Sequence, residues 1–381
     1  MRALAAAGRL LTEALEKHAR GRLNAAIRLL PGDDFRLLAW CNVNKTSTVW
    51  LTALPTEEDR LTCAEFAEVA ARYYGAPSPA CAPFVGMAIG GRVVDRYGYA
   101  LASESLPGGG WTCQHDAVKW AISQSAREMG QHVVTEVYGL FAAVIPQAAR
   151  TAIREALRPR KRHGLVPDFL MRLALMPGTP PEEYLLELKV AHLCATWYRP
   201  SDDHDAAVTG ATCAAVKRRA DSVPREYVAK AQGADQTYCG TQPGTVGPIE
   251  QRLRLWERVV PLVFGAFGET SEGVETLIHA LAEAGAERHW RRMKAKKKEH
   301  AKGALAWLLR RRWGMMAIRE NARLTLDRLS YAGATRGRAN SQAWSMAKAA
   351  KRARARADAL ELSAHGPNIG DVRPAAATRW A

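Results

Sequence analysis

Two strand-forming stretches, residues 165–175 and 184–192, stand on either side of a segment that no strand can cross, Pro177-Gly178 followed by Pro180-Pro181. Proline supplies no N–H to a ladder, and Pro-Gly is a turn-forming pair. The sequence therefore predicts an antiparallel hairpin. If the chain folds back about the midpoint of residues 177 and 178, Asp168 stands opposite Glu187. The two-residue period of a strand then puts Glu187 and Lys189 on one face. Val166-Pro167-Asp168 and Glu187-Leu188-Lys189 are thereby gathered into one cluster of two carboxylates and an ammonium.

The flanking elements set the fold class. A helix is expected from Thr112 as N-cap to Gly130, carrying Val118, Ile122, Ala126 and Met129 on one side, and then a strand over 132–138. A helix over 146–157 leads into the hairpin, and a polar helix over 213–233, a strand over 259–267 and a helix over 271–286 follow it. This order is that of an α/β domain with a mixed sheet flanked by helices, placed at residues 111–290. Residues 1–110 read as a helical and irregular region: an amphipathic helix over 1–30, β-like residues 35–54, a helix from Thr62 to Tyr74 ended by Gly75, and a Gly-rich loop over 84–110. Residues 291–381 read as a basic segment with helices over 301–313 and 315–329, then a disordered tail rich in Ala, Arg and Gly.

Charge and cysteine usage narrow the classes of function. The chain carries 54 Lys and Arg against 38 Asp and Glu, a net charge of +16. Between Arg288 and Arg356 there are 21 Lys or Arg and three acids, Glu299, Glu320 and Asp327, so the excess is one C-terminal block. Such a block suits a polyanion such as DNA or RNA, and a solvated helical face or a localisation signal is the other reading. Smaller basic groups sit near the hairpin: Arg158, Arg160, Lys161 and Arg162 before it, and Lys217 and Arg218 on the helix after it. Either group could contact phosphates or simply face solvent. No apolar run reaches the ~18 residues of a membrane-crossing helix, and the start of the chain carries Glu13, Glu16 and Lys17 within its apolar pattern, unlike a signal peptide. The seven scattered cysteines contain no CxxC pair, which fits a reducing, intracellular compartment.

Paired carboxylates in a partly buried site resist joint ionisation unless a cation sits between them, and a hard ion such as Mg²⁺ takes oxygen ligands. A lysine beside the metal can hold the attacking water while the metal draws charge from phosphate oxygens. Asp168, Glu187 and Lys189 are thus candidates for metal-assisted phosphodiester hydrolysis. An exposed Glu/Lys pair on an edge strand beside a turn Asp is the structural alternative. His115, at a helix start, reads as a capping or packing residue or as a general base.

With these residues in place, the sequence resembles the PD-(D/E)xK, or restriction-endonuclease-like, nuclease superfamily. Its core runs helix, strand, hairpin bearing PD and ExK, helix and further strand, and residues 112–267 follow that order. The resemblance implies a restriction-endonuclease-like core, with Asp168 and Glu187 as ligands of Mg²⁺ or Mn²⁺ and Lys189 as the water-positioning residue. A further acidic ligand is implied as well, for which Glu136 matches best and Glu128 competes. Residues 50–55, Arg72 to Pro77, Asp95 to Gly98 and His115-Asp116 are similar to the segment that follows the reverse transcriptase in eukaryotic non-LTR-type retroelements, over residues 45–190. That family implies a DNA endonuclease acting in the nucleus. Its zinc knuckle, CxxCG followed by DxxGDHxxxC, is degenerate here: Cys81 lacks a second Cys, Tyr99 stands near the expected His and Ser103 at the final Cys. No zinc is therefore expected. A catalytically inactive nucleic-acid-binding remnant of a retroelement protein is the alternative implied.

Overall fold

The computed structural model describes residues 46–52, 56–57, 59–106, 109–136, 140–141, 144–147, 165–174, 180–192, 197–198, 214–255 and 259–332. The expected helix at 1–30, most of that at 146–157, the basic tract Arg158, Arg160, Lys161 and Arg162, the turn at Pro177-Gly178 and the tail beyond Gly333 lie outside these residues.

The first long element, α1 (Cys63–Tyr74), begins as its sequence dictates. Thr62 accepts from the Glu65 backbone N–H, Glu65 accepts in return from Thr62, and Gly75 ends the helix in the left-handed conformation at φ 64°. Residues 84–110, expected as loop, hold more structure than that. A two-residue hairpin of β1 (Ala88–Ile89) and β2 (Arg92–Val93) is followed by the short helix α2 (Tyr99–Ser103). The reason is Asp95, whose carboxylate accepts from the backbone N–H groups of Tyr97, Tyr99 and Ala100 and so supplies the partners that a helix start lacks. The next helix, α3 (Gly110–Glu128), starts two residues before the expected Thr112. Gly109, at φ 67°, takes the cap position without a side-chain cap. It ends at Gly130 as the sequence indicates, with Gln131 N–H bonded to the Ala126 carbonyl.

Four strands form a mixed sheet in the order β3 (Val133–Thr135), β4 (Phe169–Leu173), β5 (Glu182–Val190) and β6 (Val260–Phe264). The β4–β5 hairpin pairs Phe169 with Leu186 and Leu173 with Glu182, the register of a fold about the midpoint of 177 and 178. β6 joins β5 in parallel after a crossover through α4 (Ala214–Cys239) and α5 (Pro248–Arg254). Alternation along β4 and β5 divides the layers. Phe169, Met171, Leu186 and Leu188 face a core shared with Val118 and Ile122 of α3, with α6 (Glu272–His289) and with α7 (Lys298–Arg328). Leu170 and Leu185 face Val223 and Tyr227 of α4 and Ile249 of α5.

The two helices expected at 301–313 and 315–329 are one helix, α7, of 31 residues. Gly314 does not break it. A Cβ at this position would meet the Thr46 carbonyl and a Val49 methyl at 2.8 Å, so the glycine lets two backbones approach, and its helix penalty of about 1 kcal/mol is offset by packing. Trp313 is wholly buried and donates its indole N–H to Ser125. Much of the basic character of α7 is also internal. Arg310 pairs with Glu275, Arg311 with Asp59, Arg312 with Glu128 and Arg323 with Glu65. Arg328 donates to the carbonyls of Leu101 and Ala102.

The turn between β6 and α6 is held by a buried carboxylate. Glu269 accepts from Tyr198 and from the Phe267 N–H, while Asn321 and Arg72 donate to the Ala266 carbonyl. Burial raises Glu269 from 4.5 to about 7 against the hydrogen bonds and the Arg72 charge. A carboxyl raised on folding favours the fold while protonated and ceases to do so as pH rises through the folded value. The melting temperature is therefore expected to fall from pH 4.5 to about pH 7, and Glu269→Gln to flatten that limb. Calorimetry at stepped pH checks this, and a slope unchanged in Glu269→Gln would assign the dependence to another group.

Candidate active site

The hairpin register places the candidate site on the sheet face that α4 covers. Asp168 precedes β4 directly, and its carboxylate accepts from the Leu188 N–H of β5 at 2.9 Å, while its own N–H points at the Glu187 carboxylate at 3.4 Å. Asp168 is 9% exposed and Glu187 5%. Two residues along the same strand, Lys189 donates to one oxygen of Glu187, and Tyr227 of α4 donates to the other. From the opposite side, the first turns of α3 bring His115 Nε2 to 3.2 Å from Asp168 and Lys119 Nζ to 3.8 Å. His115 Nδ1 lies 3.2 Å from Asp116. Lys119 also pairs with Glu136 at 2.7 Å and Asp116 at 3.4 Å. Glu136 follows β3 in the left-handed region at φ 50°, a conformation costly for a residue with a Cβ, and its N–H bonds to the Asp168 carbonyl.

These contacts shift the titrations in opposite directions. Burial works to raise Asp168, but the His115 hydrogen bond and the charges of His115, Lys189 and Lys119 outweigh it and hold the carboxyl below its ordinary range. Glu187 is raised, first by burial and then by the charge of Asp168, with Lys189 and Tyr227 offsetting only part. Burial disfavours the His115 imidazolium, yet Asp116 and Asp168 lift the ring to about 9, so it is cationic at neutral pH. Lys119 is raised in spite of burial by Glu136, Asp168 and Asp116.

The donor set suits a hard cation. Asp168 and Glu187 offer oxygens only, and Glu187 is raised first by its burial and then by the charge of Asp168. Among the described residues no group of three or more His, Cys, Asp or Glu side chains is placed to hold a metal ion. Asp168 and Glu187 contribute two carboxylates to this site. Cys81 is buried, and burial pushes its thiol up to about 11. No helix among the described residues is long and apolar enough to cross a membrane. No family model, curated protein or solved structure matches the chain.

Asp168, Glu187 and Lys189 thus lie together, and Glu136 joins them through Lys119. Glu128 does not: it sits at the other end of α3, paired with Arg312 at 2.6 Å. On α4, Lys217 is exposed, whereas Arg218 donates to the Trp197 carbonyl and Arg219 pairs with Glu226. Sequence reasoning passed over Lys119 and Tyr227. His115 and Lys119 are four residues apart and so share a helix face, a signal that was available. Tyr227 continues the Val223 to Ala231 stripe and resembles any core residue in sequence. Tyr227→Phe is expected to destabilise the fold by ~1.5–3 kcal/mol, because a hydrogen bond to a charged group contributes that much and Glu187 would stay buried without this donor. Chemical denaturation showing equal stability would make Tyr227 a packing residue only.

Proposed function

We propose that the chain is a divalent-metal-dependent DNA endonuclease of restriction-endonuclease-like fold, derived from a non-LTR-type retroelement and acting on nuclear DNA. The observation that carries this reading is the meeting of Asp168, Glu187 and Lys189 across the hairpin, where burial and then the charge of Asp168 raise Glu187. Asp168 and Glu187 would hold Mg²⁺ or Mn²⁺, with Glu136 as the assisting acidic residue. When bound, the metal supplies charge stabilisation to the phosphate oxygens and acidifies water. Lys189 orients the attacking water, whose oxygen forms a bond to phosphorus as the bond to one ester oxygen breaks, leaving a phosphate monoester and a free hydroxyl. The His115 imidazolium and Lys119 hold Asp168 ionised and in place.

Phosphate contacts on this reading fall to the exposed Lys217, with Arg218 beside it on α4, to Arg158, Arg160, Lys161 and Arg162, and to the turn between α6 and α7. That turn exposes Arg291, Arg292, Lys294, Lys296 and Lys297 and is anchored by Trp290 and Met293 against the core. RNA would meet the same surfaces. The second reading, a catalytically inactive nucleic-acid binder, is favoured by one observation: Lys189 and Tyr227 already occupy both oxygens of Glu187.

Plasmid cleavage with and without Mg²⁺ separates the two. Asp168→Ala and Glu187→Ala are expected to abolish cleavage while DNA binding persists, and Lys189→Ala to slow it by about 10²–10⁴. Absence of Mg²⁺-dependent cleavage by the unaltered chain supports the inactive binder, and cleavage undiminished in Glu187→Ala removes this site. For the turn, joint replacement of Arg291, Arg292, Lys296 and Lys297 by Ala is expected to flatten the salt dependence of binding by about 0.9 in log–log slope for each phosphate no longer neutralised. An unchanged slope would place the DNA elsewhere.

A further inference from the structure

Three planar groups gather where the first turn of α3 meets the end of β5. Trp111 stacks on His192 at 4.6 Å between ring centroids and 25° between planes, and the Arg328 guanidinium lies 4.9 Å from the Trp111 centroid. Each is fixed by further bonds. Arg328, 3% exposed, donates to the carbonyls of Leu101 and Ala102, and the Trp111 indole N–H donates to the same Ala102 carbonyl at 3.1 Å. His192 follows Ala191, whose N–H bonds to the Phe264 carbonyl and so carries the β5–β6 pairing past Val190. Burial, with the charges of Arg328 and Arg219, lowers His192 to about 4, so the ring that meets Trp111 is neutral.

This stack joins the helix that bears His115 to the strand that bears Glu187 and Lys189. Trp111, His115 and Lys119 recur at four-residue spacing and so share one face of α3. His115 and Lys119 reach Asp168, and His192 stands three residues past Lys189. The start of α3 has no side-chain cap, since Gly109 holds the cap position, and its open N–H groups do not anchor it. We infer that the Trp111–His192 stack is a brace between α3 and β5 that sets the distance of His115 from Asp168, which makes Trp111 and His192 positioning residues for the reaction. They act through the helix and the strand end that they join. Without the brace His115 shifts against Asp168 and the carboxylate loses its alignment with Glu187 and Lys189. A misplacement of about an ångström at a reacting centre costs up to ~10²-fold in rate.

The brace rests on the metal-dependent reading above, and cleavage by the unaltered chain, measured first, separates failure of the one from failure of the other. Plasmid nicking with Mg²⁺ gives kcat and KM for the full chain, and anisotropy of a labelled DNA duplex without metal gives its affinity. His192→Ala is expected to lower kcat about tenfold to a hundredfold with KM and duplex affinity unchanged, and His192→Phe, which keeps a ring against Trp111, to restore kcat. In a chain already carrying His115→Gln, His192→Ala is expected to lower kcat less than about twofold further, because residues that act through one another are not additive. An unchanged kcat in His192→Ala, a loss that His192→Phe does not restore, or a full further loss on top of His115→Gln overturns the brace. A raised KM with kcat unchanged also overturns it and makes His192 a DNA contact. Should His192→Ala lack native circular dichroism, His192→Leu, which fills the space without a flat ring, takes its place; should His115→Gln alone abolish cleavage, kcat and the Phe rescue decide. No Mg²⁺-dependent cleavage by the unaltered chain overturns the metal-dependent reading and the brace with it.

Discussion

The Leu188 N–H donates to the Asp168 carboxylate, and this single bond between β5 and the residue before β4 couples the chemistry of the site to the register of the sheet. A slip of one residue would turn Leu186 and Leu188 out of the core and Glu187 into it. The hydrophobic cost of that slip is what keeps two carboxylates near each other despite their repulsion. Apolar packing on one face of β5 thus sustains an electrostatic conflict on the other, and a metal would relieve it. The conflict is moderated by His115, Lys119, Lys189 and Tyr227, each from a position fixed by its own element.

Burial treats the cations of this chain in two ways. Those on α7 meet acids from α1 and the segment before it, from α3 and from α6 and become internal ties, of which Arg311–Asp59 and Arg323–Glu65 hold the N-terminal region. Those of the α6–α7 turn remain outside. Net charge read along the sequence merges these groups. Arg291, Arg292, Lys294, Lys296 and Lys297 of that turn present their charge to solvent, whereas the paired arginines of α7 do not.

How much of this was readable beforehand follows from the range of each determining contact. The hairpin register was readable because prolines and a glycine mark a break between the two strands in the sequence and apolar alternation fixes their faces. The Thr62 capping box and the Gly75 and Gly130 helix ends are local as well. The continuity of α7 was not, since Gly314 reads as a break until the Thr46 backbone is seen against it. Helix α2 was hidden because its start depends on the Asp95 side chain at the end of a Gly-rich stretch. At the site, Asp168, Glu187 and Lys189 lie on one hairpin and were legible. Lys119 and Tyr227 come from helices whose docking angles no local pattern encodes.

Helix α7 also bears on how the protein comes into being. Glu65 finds Arg323 across 258 residues, and Thr46 finds Glu275 across 229. The N-terminal region therefore cannot complete its core while it emerges from the ribosome; it waits for nearly everything that follows. In that interval Asp59 and Glu65 lack their arginines and Val49 and Val69 lack Met315 and Ile318. Contacts so distant slow folding and prolong the exposure of apolar surface. Synthesis of this chain thus passes through a long stage in which Val49 and Val69 lack the helix that covers them.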